Sequence, residues 1–182
     1  MTWTVTWSMS GVVRVVCNSS PLIWLAKAGR LTVLRRLFGE VSIPRVVYDE
    51  VSLGESADSL LIREAVEEEW IRVVDVEEGG ARDIVEVSGI HRGEAEAILL
   101  ARGVGALFVV DDREGSATAR VFGVATLGTV GLLLLALGEG LFGLDEFVDC
   151  LDALMGLGFR LSVEVYRRAL AEARRIAGER AS

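Results

Sequence analysis

Two stretches end in side chains that could bind metal or phosphate. Val12–Cys17 is followed by Asn18-Ser19-Ser20, and Leu107–Val110 by Asp111-Asp112-Arg113. Both are apolar runs, the first broken only by Arg14, of the kind a parallel sheet buries on both faces. Ligands bind such a sheet at the carboxyl ends of its strands. Two adjacent carboxylates there repel each other, and a divalent cation relieves the repulsion. Asp112 also suits the N-cap of a following helix; Asp111 has no such structural use. Asn18, the only asparagine in the chain, offers a neutral oxygen at the other strand end.

Two more acids fall on helical patterns. In "IPRVVYDEV", set Val46 at zero on a wheel turning about 100° per residue; Val47 then lies near 100°, Val51 near 140° and Glu50 near 40°. Glu50 thus sits inside the valine arc, a costly place for a carboxylate without a partner. A metal ion or an arginine would supply one; a rotated helix would instead leave Glu50 in solvent. In "HRGEAEAILLA", Glu94 and Glu96 are about 200° apart and cannot share one face. Glu94 stands in the first turn, where an acid also complements the helix dipole. His91, the sole histidine, reads as a loop residue rather than a ligand.

The elements that must position these groups alternate. Strands are expected at 12–17, 41–43, 70–76, 107–110 and 124–126. Helices are expected at 22–28 (Ser20 as N-cap, Pro21 first), 31–38, 45–53, 57–68, 92–102, 113–122, 129–137, 145–156 and 162–177. The segment Glu77 to Gly80 reads as an exposed loop. This order predicts an α/β fold with a central parallel sheet covered on both faces. Residues 12–182 form one domain on this reading. Residues 1–11 alternate Trp3, Val5, Trp7 and Met9 with polar residues, as an extension or an added edge strand would.

Composition narrows the function. The 182 residues are 51% hydrophobic, enough to build a core. The net charge of −8 argues against a broad, non-specific nucleic-acid coat but not against an acidic metal site. The two cysteines, Cys17 and Cys150, form no CxxC pair and read as reduced thiols of a cytoplasmic protein. The start of the chain lacks a signal-peptide pattern, and the apolar stretch 121–137 is interrupted by glycines, so no membrane span is expected. No Walker loop, GxSxG elbow or dinucleotide-binding glycine loop is present.

Taken in order, "NSSPLI", "IPRVVYDEV", "RGEAEAILLA", "VVDDREGSATA" and "LGTVGLLLLA" resemble the PIN-domain superfamily, the metal-dependent ribonuclease fold of VapC-type toxins. The closer likeness is to a branch of short prokaryotic PIN-like proteins. The resemblance implies a three-layer α/β/α fold with acids gathered at one end of the sheet around one or two Mg²⁺ or Mn²⁺ ions. It places the ligands at Asn18, Glu50, Glu94, Asp111 and Asp112, the last four also catalytic, with Asn18 where the family has an acid. It assigns Ser19 or Ser20 to the small hydroxyl position after the first acid, and Thr129 to a polar position near the same site. Arg113 or Arg92 would contact phosphate, although a surface ion pair suits Arg92 better. The implied activity is hydrolysis of RNA phosphodiesters, as a toxin paired with a small antitoxin and assembled as a homodimer. The alternative is a catalytically silent PIN-like module binding RNA or a protein partner. Inward, converging acids would favour the enzyme; a solvated Glu50 or acids that do not converge would favour the module.

Overall fold

The structure, a computed structural model, describes residues 13–180. The elements run β1 (Val15–Cys17), α1 (Ser19–Lys27), α2 (Thr32–Phe38), β2 (Val41–Pro44), α3 (Arg45–Ser52), α4 (Ala57–Glu67) and β3 (Ile71–Val74). There follow α5 (Glu78–Ser88), α6 (Arg92–Val104), β4 (Leu107–Val109), α7 (Arg113–Val121), β5 (Thr126–Leu127), α8 (Thr129–Gly138), α9 (Leu144–Gly156) and α10 (Val163–Arg180). The strands form one sheet in the order β3-β2-β1-β4-β5. Every pairing is parallel, with Val16 beside Ser42 on one side of β1 and Cys17 beside Val109 on the other.

Strand residues alternate between two cores, as a pleated strand buried on both faces requires. Val15, Cys17, Leu107 and Val109 pack with Leu22, Leu25, Leu132 and Leu133 of α1 and α8. Val16, Phe108 and Val110 pack with Ile84, Ile98 and Ala119 of α5, α6 and α7. Helices therefore cover both faces, and the expected three-layer α/β/α architecture is present. Cys17 and Cys150 are buried free thiols, as read from their apolar contexts.

Three local expectations are corrected. The segment read as a loop at Glu77 to Gly80 opens α5. A Cβ on Gly80 would stand 3.1 Å from Leu99 Cδ1, so this glycine allows α5 to approach α6 closely. Helix α1 begins at Ser19 with Asn18 at its N-cap, two residues earlier than a Ser20 cap implies. The strand expected at Val124 to Thr126 is β5 at Thr126–Leu127, a shift of the size common at element ends. The proposed N-terminal edge strand lies outside the described residues. Among the described residues, no helix is long and apolar enough to cross a membrane.

Candidate active site

The chain builds outward from β1 through β2 to β3, then returns to place β4 on the other side of β1. The order reverses between β1 and β4, so the crevice lies beyond their carboxyl ends. The Asn18 N–H donates to Val109 O at 2.9 Å, holding the two strand ends together where they run out. Asn18 leaves one end and Asp111-Asp112 leave the other.

Asp111 is the most constrained of the acids. Its Oδ1 accepts from the Thr129 N–H at 2.7 Å, and its Oδ2 accepts from Thr129 Oγ1 at 2.7 Å and Ser20 Oγ at 3.4 Å. Ser20 and Thr129 stand in the first turns of α1 and α8, so Asp111 faces two positive helix ends. Burial nevertheless raises its pKa, and the bonds from Thr129 and Ser20 only partly offset that rise. Thr129, the polar position expected near the site, is fully buried and fixes Asp111 through its N–H and its hydroxyl. Ser20 likewise bonds to Asp111, and Ser19 is nearly buried at 9% exposure.

Asp112 and Glu94 form a second neighbourhood. Asp112 caps α7, with its Oδ2 accepting from the Gly115 N–H at 2.8 Å. Glu94 lies over the same glycine: a Cβ on Gly115 would come within 2.6 Å of Glu94 Oε1. The Glu94 Oε2 accepts from the His91 N–H at 3.2 Å, so His91, a loop residue as expected, is also the N-cap of α6. Burial raises the Glu94 pKa; the His91 bond opposes this, and the charges of Asp112 and Glu114 add to it. Arg113 is exposed at the start of α7.

Glu50 is not where the wheel put it. Val47 and Val51 are buried, Val46 and Tyr48 half-buried, and Glu50 exposed. Rotation of α3 does not account for this: half-buried Val46, at about 0° on the same wheel, lies further from the centre of Val47 and Val51 than Glu50 does. Glu96, given no role from sequence, is only 2% exposed, and its Oε1 accepts from Arg92 Nε at 2.6 Å. Both acids of "EAE" are buried on different faces because α6 is enclosed. Gly93 meets Val47 of α3, Leu99 meets Gly80 of α5, and Glu94 meets Gly115 of α7. The ion pair expected for Arg92 is present.

The donors are hard oxygens, the type Mg²⁺ and Mn²⁺ take. Among the described residues, however, no group of three or more His, Cys, Asp or Glu gathers closely enough to hold a metal ion. A cage of four acids therefore does not fit. Mg²⁺ needs only one or two carboxylates, completing its shell with water and phosphate oxygens. Asp111 fits that smaller demand: a carboxylate has about four lone-pair sites, and three bonds occupy it. Asp112, next to it, has one bond of this kind.

A parallel three-layer α/β/α domain with acids at the switch point of its sheet defines the class of protein. Residues 14–175 match a family model described as "DUF3368: PIN domain", and the chain belongs to the PIN-domain family. No curated protein matches the chain. Among solved structures, the chain is similar to the crystal structure of PAE2754 from Pyrobaculum aerophilum. The identity is 17%, the alignment covers 68% of this chain and 97% of that one, and the TM-score is 0.49.

Proposed function

We propose that this PIN-domain protein is an endoribonuclease that hydrolyses RNA phosphodiesters with Mg²⁺ or Mn²⁺ as cofactor. The observation that carries the reading is Asp111: a desolvated carboxylate fixed by Thr129 and Ser20 at the switch point of the sheet. Such a group is kept where charge is to be neutralised by a ligand. Asp111 and Asp112 would hold the ion, with Glu94 adding negative charge beside Asp112. The chemistry the ion supplies is activation of water for in-line attack and neutralisation of phosphoryl charge. Arg113, exposed beside the acids, orients the phosphate. The reading extends to a toxin with a small antitoxin as partner and a homodimer as assembly.

A catalytically silent module that binds RNA or a protein is the second reading. The neutral Asn18, the exposed Glu50 and the lack of a three-acid group favour it. Mn²⁺ calorimetry with a parallel RNA cleavage assay separates the two. The enzyme reading expects native binding and EDTA-sensitive cleavage, both lost in Asp111→Ala/Asp112→Ala. If the native protein neither binds Mn²⁺ nor cleaves, and Asn18→Asp restores both, the silent module is correct.

A further inference from the structure

Asn18 has a side chain without a job in the fold. The residue is 5% exposed, yet it makes no cap bond to α1. Among the described residues its side chain makes no hydrogen bond, while its backbone N–H donates to Val109 O. Among the described residues no wholly buried side-chain nitrogen or oxygen lacks a partner, so the unbonded carboxamide keeps a narrow contact with solvent.

The N-terminus of α1 favours an anion beside Asn18. Helix α1 has nine residues and no acid in its first turn. Its first N–H groups have no acceptor within the helix and carry the positive end of the dipole. Asp111 already places one carboxylate against this helix end through Ser20. A second acid at position 18 would add repulsion to any phosphate arriving there; a carboxamide adds a donor instead.

We infer that Asn18 is a phosphate-binding donor, its Nδ2–H and the N-terminal N–H groups of α1 receiving a non-bridging oxygen of an RNA phosphodiester. The inference rests on the reading of RNA as ligand but not on cleavage. Position 18 then serves substrate binding, and the ion is left to Asp111 and Asp112.

The test is fluorescence anisotropy with a short fluorescein-labelled oligouridylate in EDTA, where neither cleavage nor metal contributes. Native protein is expected to bind most tightly. Asn18→Ala should bind about tenfold more weakly, the scale of one hydrogen bond to a charged group, and Asn18→Asp more weakly still. The lack of a cap bond means that Asn18→Ala leaves α1 intact, and thermal melts of all three proteins check this. Equal affinity of native and Asn18→Ala, tighter binding by Asn18→Asp, or no native binding in EDTA would each overturn the inference. Cleavage with Mn²⁺ is read separately. If native protein cleaves but the affinity order is absent, the inference fails and the nuclease reading stands. If the order holds without cleavage, the reverse is true.

Discussion

Asp111 carries a cost to the fold that a ligand would relieve. Its folded pKa lies above its ordinary value, mainly through burial. The native state therefore holds a proton that the unfolded chain has already released, and stability falls as pH rises through that window. The contribution is complete below the unfolded pKa, near 3.8. Glu94 acts with the same sign. Asp111→Asn can keep both contacts to Thr129, with Oδ1 accepting from the N–H and Nδ2 donating to the rotated hydroxyl. Calorimetric melts should show this variant more stable than native at about pH 7 and equal to it at about pH 3, with Mn²⁺ binding lost. A lower melting temperature at both pH values would mean that the charge of Asp111 holds the helices together.

Gly115 yields a second test at this scale. Ala is the better helix former by about 1 kcal/mol. Its Cβ would nevertheless stand 2.6 Å from Glu94 Oε1, and overpacking of this kind costs about 1–3 kcal/mol. Gly115→Ala should destabilise the protein, and Glu94→Asp, one methylene shorter, should restore part of the loss in a double-mutant cycle. Additive effects would show that the two residues do not meet. In the candidate site, the positions of Asp111, Asp112 and Glu94 were legible: a strand end, a cap and a first helical turn. Glu50 was not. On the wheel it lies between half-buried Val46 and buried Val47, and whether a side chain at that angle is covered depends on what packs over α3, which the spacing of three valines does not tell.

Among the elements, α7 begins on a residue with two uses. Asp112→Ala loses the cap bond to Gly115 and should cost about 1 kcal/mol, whereas Asp112→Asn keeps a side-chain acceptor and should melt close to native. Both should lose cleavage if the carboxylate charge is what the site needs. Cleavage retained by Asp112→Asn would reduce Asp112 to a cap. The missed helix α5 shows where sequence reading stops. Ala81, Ile84, Val85 and Ser88 have helical spacing, yet Gly79 and Gly80 suggested a loop. A glycine that lets one helix lie close to another has the same letter as one that ends a helix. Only Leu99, nineteen positions further on, shows which use Gly80 has.

For the whole molecule, the alternation of apolar runs and amphipathic segments made the parallel three-layer fold legible, because each strand must be covered on both faces. The sheet order was not legible, since it depends on pairings between distant segments. Cys17 and Cys150 are both buried free thiols, and burial pushes the pKa of each upward. The folded protein should resist alkylation until denatured, and its melting temperature should not change with reductant. Rapid labelling of the native state would contradict this packing.

The bond between Asn18 and Val109 has a consequence for synthesis. The strand end bearing Asn18 leaves the ribosome early, but its partner is made 91 residues later, and Thr129 later again. Pairings so distant form late, after the loop between them is closed. A nascent chain therefore has no assembled crevice until α8 has begun to emerge. Until then Asp111 lacks the Thr129 contacts that fix it, so the candidate site is among the last parts of the domain to be completed.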